Sequence, residues 1–398
     1  MESLIMNITD KAVEEKIPPF LRLGFRPFFL LGSIYAIIAV SVWVWAFQTG
    51  QPSQLTVPAL WWHVHEMLFG FSMAIVAGFV LSAVQNWTGV KGTSDKRLGF
   101  IVLLWLLPRI LFWTPTPLWI ISSIEALFLA AIAYEVRFRV IKTKGVRNFF
   151  FIPLFIVAIA ANFASYATIK GLPPFTSAAV WESMLWWFTL LISVMGARVI
   201  PFFTARRFQF EKAQPILWLE ALCNIPLAML FILSFFPLTA EEISPYLMIV
   251  AGFAQLIRMG RWKSHKTLSE PLVWSLHAGY LCIPVSLLIR GFADDGFISH
   301  TAIHLFAIGA LGGVILAMIA RVTMGHTGRE IYKGPVMWPA FSAIVLAAVI
   351  RSVGVIVFPE YMINMINIAA VLWAFAFGLF VWHFAPMLCK KRVDGHPG

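Results

Sequence analysis

Trp62-His63-Val64-His65-Glu66-Met67 places two imidazoles, a carboxylate and a thioether where an apolar run of about twenty residues begins, the length that crosses a bilayer. Imidazole is the commonest protein ligand for metals and a frequent one for haem iron. Polar side chains cost about 2–4 kcal/mol each inside a membrane, so a cluster kept there points to binding or transfer. Later apolar runs carry His277 with Tyr280, and His300 with His304 one helical turn apart. The chemistry these types support is axial ligation of haem iron, or coordination of copper by imidazole with softer donors such as Met. Glu66 is placed to orient an imidazole from behind. Each histidine also has a plainer use: a cap at headgroup level for His63 and His65, a hydrogen bond to another helix or to backbone for His304 and His277.

The elements that must carry these residues are membrane helices. The 398-residue chain is 60% hydrophobic and only 12% charged, far from the balance of a soluble domain. Windows of about twenty residues give about twelve apolar runs. They lie near 27–47, 63–86, 98–115, 117–137, 149–169, 178–203, 215–236, 243–260, 271–290, 299–324, 336–358 and 360–387. The expected fold is all-α: a polytopic membrane bundle of about twelve spans, with a segment 1–26 before it, one transmembrane bundle over 27–387 and a tail 388–398. The formal charge of +11 is not a nucleic-acid patch. Its Lys and Arg fall in alternate loops, among them Lys91/Lys96/Arg97, Arg137/Arg139/Lys142/Lys144/Arg147, Arg258/Arg261/Lys263/Lys266 and Lys390/Lys391/Arg392. That alternation follows the positive-inside rule and, for an even number of spans, puts both termini of this bundle, embedded in membrane lipids, in the cytoplasm. Met1–Lys16 lacks a signal-peptide pattern. Cys223, Cys282 and Cys389 form no CxxC, so neither a disulfide framework nor an iron–sulfur site is implied.

Topology turns the sequence into a depth map. His63, His65, His300 and His304 fall at outer helix ends, His277 lies deeper, and Glu182 opens the sixth span from outside. His304 and His326 are about 33 Å apart along a helix, so they serve different ends of the membrane. His326, Thr327, Gly328 and Arg329 belong to the inner end, with Arg198, Arg321 and His383 as companions. Arg109, Arg290 and Arg351 map to the outer half, where each either pairs with a haem propionate or snorkels to the interface.

The ordered set of short motifs resembles a known family. The pieces are Gly24-Phe25-Arg26-Pro27-Phe28-Phe29, the run from Trp62 to Gly70, Gly78-Phe79 and Asn86-Trp87-Thr88-Gly89. They continue with Arg198-Val199-Ile200-Pro201-Phe202-Phe203-Thr204, Leu276-His277-Ala278-Gly279-Tyr280, His304 with Gly309-Ala310-Leu311-Gly312, and Met324-Gly325-His326-Thr327-Gly328-Arg329. Together they resemble the NnrS-type haem–copper membrane proteins associated with denitrification and nitric oxide stress. The resemblance implies twelve spans, a b-type haem and copper, with His63, His65, His277 and His304 as ligand candidates. His65 and His304 are then expected to hold the haem, with His63 and His277 nearest copper and nitric oxide or another small molecule as the ligand. A soluble electron-donor protein is needed if nitric oxide is reduced. A fainter likeness to haem–copper oxidase catalytic subunits stops at the sixth and seventh spans, which carry no histidine, and no Asp lies within a span. Those departures argue against an oxygen-reducing proton pump. The alternative is a membrane transporter or assembly factor that handles haem or metal.

Overall fold

The computed structural model describes residues 11–143 and 148–397, and the basic-loop residues Lys144 and Arg147 lie outside the described residues, as does most of Met1–Lys16. Within them the chain is all helical, with no strand. Twelve long helices follow one another: α1 (Phe25–Thr49), α2 (Ala59–Thr88), α3 (Asp95–Leu111), α4 (Leu118–Lys142), α5 (Phe151–Ile169), α6 (Ser177–Phe208), α7 (Leu217–Leu233), α8 (Pro237–Gly260), α9 (Pro271–Phe292), α10 (Gly296–His326), α11 (Trp338–Val357) and α12 (Pro359–Cys389). Each coincides with one apolar run. Ten of them are long and apolar enough to cross a membrane. The other two, α3 and α7, have 17 residues each, about 25 Å of helix against about 30 Å of hydrocarbon. The first three residues of α3, Asp95-Lys96-Arg97, are charged, which leaves a still shorter apolar stretch, and α7 begins just after Pro215.

Two compact units divide the chain. One holds the residues up to Pro174 with Arg321–Gly334 and the chain from Val381 onward; the other holds Phe175–Ala320 with Pro335–Phe380. In the first unit, α2 packs on α1 and α4, and α4 on α3 and α5. The start of α1 is pinned to α2 by polar atoms: the Phe25 backbone N–H donates to Ser82 Oγ at 2.8 Å, and that hydroxyl donates back to Gly78 O at 2.8 Å. Without water, such groups must find partners within the protein. In the second unit, α8 lies between α7 and α9, and α9 packs on the middle of α10.

The first unit also gathers both ends of the sequence. Arg26, fully buried, donates through Nη1 to Leu388 O at 2.9 Å and Lys390 O at 2.7 Å, with Met387 O at 3.4 Å. It thereby satisfies the carbonyls left open where α12 ends, and places a cation at the negative end of that helix. Arg392 then grips Asp394 through two hydrogen bonds, Nε–Oδ1 at 2.9 Å and Nη2–Oδ2 at 2.6 Å. Its Nη1 reaches His326 O at 3.3 Å, and Val393 N–H reaches Thr327 O at 3.3 Å. α10 ends on Gly328 at φ +76°, and Arg329 N–H bonds back to Met324 O at 3.0 Å, closing the helix. A Cβ at Gly328 would stand 2.5 Å from the Asp394 carboxyl carbon, so this glycine is required by backbone and by contact alike.

Two outcomes test this seam. Arg26→Ala leaves the α12 carbonyls without their donor and lowers stability by about 2–3 kcal/mol, read from thermal unfolding in detergent. The Arg392 guanidinium holds the Asp394 carboxyl down to about 2, from an ordinary 3.8. A depressed acid stabilises the folded chain above its unfolded value, and that contribution is lost as pH falls through the folded value. Proteolytic release of the C-terminal segment therefore stays constant from pH 7 to 5 and rises below about pH 3.

Candidate functional site

The centre of the first unit is a set of fully buried ionisable groups around His65. The imidazole is sandwiched between Trp61, with ring centroids 4.4 Å apart and planes at 16°, and Phe69, at 4.9 Å and 27°. These are the residues one turn before and one turn after it, so α2 supplies the slot itself. His65 Nδ1 lies 3.1 Å from Glu66 Oε1, and Nε2 lies 3.2 Å from Glu125 Oε2. Arg109 of α3 bridges the two acids: Nε donates to Glu66 Oε2 at 2.7 Å, Nη2 donates to Glu66 Oε1 at 2.8 Å, and Nη2 also meets Glu125 Oε1. Tyr35 of α1 donates to Glu66. Asn162 Nδ2 and Tyr166 OH of α5 both donate to Glu125 Oε2 at 2.8 Å. Five helices thus meet on two carboxylates. Glu66 also lies over Gly70, where a Cβ would stand 2.9 Å from its Oε2.

Only His65, Glu66 and Arg109 of this set follow from the motif reading. Glu125, Asn162, Tyr166 and Tyr35 do not, although Glu125 is an acid in the middle of the apolar run that forms α4, a signal the cost of intramembrane charge would have flagged. His63 is not part of the cluster. Residues two apart on a helix point away from each other, and His63 stacks instead on Trp43 of α1, at 4.6 Å and 11°.

α2 departs from α-geometry at this point. Glu66–Ser72, immediately after His65, is π-helical, with the following N–H of Met73 reaching back to Leu68 O. The same change occurs immediately after His304, where Leu305–Gly312 is π-helical. A third such turn, Ile350–Gly354 in α11, contains Arg351 and packs against Gly296–His304. π-turns are rare and concentrate where a helix presents functional side chains. The three arginines proposed for propionates separate here. Arg109 is taken by Glu66 and Glu125, and Arg290 pairs with Glu182 and lies over the Trp186 ring at 4.8 Å. Arg351, half-buried, has no carboxylate partner among the described residues.

The second unit has its own polar centre, built on Arg258. This buried cation donates to Glu220 Oε2 at 2.7 Å, Ser193 Oγ at 2.8 Å, Gln255 Oε1 at 2.6 Å and the Tyr280 hydroxyl. Tyr280 in turn donates to Gln255. His277, one turn before, sits in a cradle of hydroxyls: Nε2 is 2.8 Å from Thr204 Oγ1 and Nδ1 is 2.9 Å from Ser264 Oγ. His300 is exposed, with Nδ1 at 2.7 Å from Gly296 O.

The inner-end residues have mechanical surroundings. The His326 ring packs on Phe25 at 5.3 Å, and Arg329 Nη1 donates to Thr327 O at 3.3 Å. Arg321 donates to the Tyr332 hydroxyl at 2.8 Å and lies over its ring. Arg198 is exposed on α6.

These surroundings fit a haem unevenly. His304 closes the stretch Gly296–His304 against which the turn bearing Arg351 packs, and Arg351 has no carboxylate partner among the described residues. A haem on His65 would require Glu125 to swing away from Nε2. For copper, His277 offers an imidazole whose two nitrogens already have hydroxyl partners, and ligation by either would replace one of them.

The sequence model of the NnrS protein family matches residues 19–392, nearly the whole chain, and the chain belongs to that family. No curated protein matches it.

The charge cluster makes its own prediction. Arg109→Met leaves two carboxylates buried against one imidazole and destabilises the protein by about 3–5 kcal/mol, read as a lowered midpoint of thermal unfolding.

Proposed function

We propose that this member of the NnrS family is a multi-pass protein of the bacterial inner membrane that binds haem b and copper and protects against, or processes, nitric oxide and related nitrogen oxides. One observation carries the reading. His304 stands where α10 turns from α to π, and the π-turn bearing Arg351 packs against the same stretch. An imidazole is a common axial ligand for haem iron, and a guanidinium without a carboxylate partner suits a haem propionate. When bound, the haem supplies reversible ligation of nitric oxide and one-electron exchange. His304 is the proposed axial ligand and Arg351 the propionate partner. His65, at the corresponding junction of α2, is the proposed haem-ligand residue of the first unit; His63 there and His277 in the second unit are each proposed as copper-ligand residues.

The surrounding residues set the conditions. Nitric oxide is small, neutral and apolar, so it reaches a site within the bilayer without a polar channel. Reduction would draw electrons from a soluble partner protein. All twelve helices are proposed to cross, α3 and α7 included, which puts both termini in the cytoplasm in accord with the basic loops.

The test is the visible spectrum of detergent-purified protein, oxidised and reduced, before and after nitric oxide. The expected result is a Soret band with reduced b-type peaks that shift on nitric oxide. His304→Ala abolishes the band, and Arg351→Gln lowers haem retention about tenfold in a competition with apomyoglobin. A featureless spectrum from folded, haem-supplied protein would overturn the reading. Uptake of haem or metal into vesicles, or loss of activity in another complex when the chain is absent, would then support a transporter or an assembly factor.

A further inference from the structure

Beside the seam that joins the two ends of the chain, the first unit encloses a cavity remote from its polar centre. Its volume is about 80 Å³, and Glu14, Glu15, Arg22, Lys391, Arg392 and His396 are among its lining residues. That space holds several water molecules, comparable with a small polar headgroup. Three stretches build the wall: the short helix Lys11–Glu15, the turn before α1, and the chain that follows α12. Arg22 comes just before α1 and Lys391 just after α12, so the cavity lies where two apolar helices leave the hydrocarbon.

Its charged groups are unevenly engaged. Arg22 is buried: Nε donates to Ile17 O at 3.1 Å and stands 3.9 Å from Glu14 Oε1, while Nη2, also buried, has no hydrogen-bond partner among the described residues. A buried guanidinium N–H without an acceptor is a cost that a bound acceptor removes. Arg392 is held by Asp394. Lys391 and Glu15 are exposed, and neither pairs with an opposite charge among the described residues. Arg22, Lys391 and Arg392 thus stand against Glu14, Glu15 and Asp394, and the sum is zero. Neither a plain anion nor a plain cation is favoured by that total. A ligand bearing one charge of each sign can meet an opposite charge at each end.

We propose that this cavity is a headgroup site for a zwitterionic phospholipid of the ethanolamine type. Its phosphodiester accepts from the Arg22 guanidinium and the Lys391 ammonium, and its primary ammonium donates to Glu15. The chemistry chooses among headgroups. Choline has no N–H to offer a carboxylate, a glycerol headgroup leaves the lipid anionic and Glu15 unmatched, and serine brings a further carboxylate to Glu14 and Glu15. A lipid fits better than a free phosphoethanolamine ester because headgroups already occupy the level at which α1 begins and α12 ends. Bound there, the headgroup ties the segment before α1 to the tail after α12. The proposal goes beyond the nitric oxide reading and does not depend on haem.

The experiment uses the full chain, delipidated in detergent and examined by native mass spectrometry. The probes are phosphatidylethanolamine, phosphatidylglycerol, phosphatidylcholine and the soluble ester sn-glycero-3-phosphoethanolamine. The expected result is one phosphatidylethanolamine held at least about tenfold more tightly than either other lipid, with the soluble ester weaker still. In nanodiscs, phosphatidylethanolamine should slow hydrogen exchange within 11–22 and 390–397 relative to phosphatidylcholine. Glu15→Gln and Lys391→Gln change exposed side chains, so the fold is kept, and they separate the two contacts. Glu15→Gln should weaken phosphatidylethanolamine about tenfold and erase its advantage over phosphatidylglycerol; Lys391→Gln should weaken both lipids about tenfold. The visible spectrum of the same samples is the separate readout: a missing haem band sinks the nitric oxide reading and leaves this one standing. Equal affinity for the three lipids, exchange protection confined to other segments, unchanged affinity in either folded variant, or a soluble ester that binds as tightly as the lipid would each overturn the proposal.

Discussion

Compensation of charge away from water governs the first unit. An isolated carboxylate in a low-dielectric interior is too costly to keep ionised, so two of them persist only where cations reach them with good geometry. Arg109 does this with a forked contact that a lysine could not make, because its guanidinium presents several donors in one plane. Glu66 comes from α2, Glu125 from α4 and Arg109 from α3, so the pairing sets the depth of three helices against each other. Tyr35 and Tyr166 bring in α1 and α5 by donating to the same carboxylates. The 17-residue length of α3 is consistent with this role, since Arg109 lies in its last turn and its placement, more than the span of the helix, is what the unit needs.

The second unit answers the same constraint with different parts. Arg258 of α8 meets one carboxylate, Glu220 of α7, and fills its remaining donors with neutral oxygens from Ser193, Gln255 and Tyr280. One positive charge balances one negative charge, and the neutral partners polarise one another without adding to the sum. That centre has no charge left to attract a cation. The contrast with the first unit is one of charge: two carboxylates share one guanidinium around His65, whereas the nitrogens of His277 are matched by two hydroxyls.

Several motifs that invite a chemical reading have structural work instead. Arg26 closes the end of α12, Gly328 allows the turn that ends α10, and Asp394 sits where a side chain at position 328 would be. The His326-to-Arg329 motif is thus a helix terminus that accepts the C-terminal segment. Trp61 and Phe69 form a slot for His65, yet in sequence they read only as aromatic residues of a membrane span. The π-turns after His65 and His304 leave no pattern in composition, because a widened turn is a matter of backbone hydrogen bonding.

Much was legible before any coordinates. The all-helical class and the position of every long helix follow from hydropathy, the family from the ordered motifs, and the interest of His65, Glu66 and Arg109 from the expense of polar groups in lipid. These are local properties, carried by runs of twenty residues or by single charges within them. Which charges meet is not local. Glu125 pairs with Arg109 sixteen positions away and with His65 sixty positions away, while Arg290, equally basic and equally deep by sequence, is taken by Glu182. His63 and His65 stand two apart in sequence, yet one stacks on Trp43 and the other lies among the carboxylates, because a helix turns by about 100° per residue. The chain alone determined which groups had to be neutralised within the membrane. Only the tertiary structure decided by whom, because neutralisation depends on distances of a few ångströms between helices that sequence order does not specify.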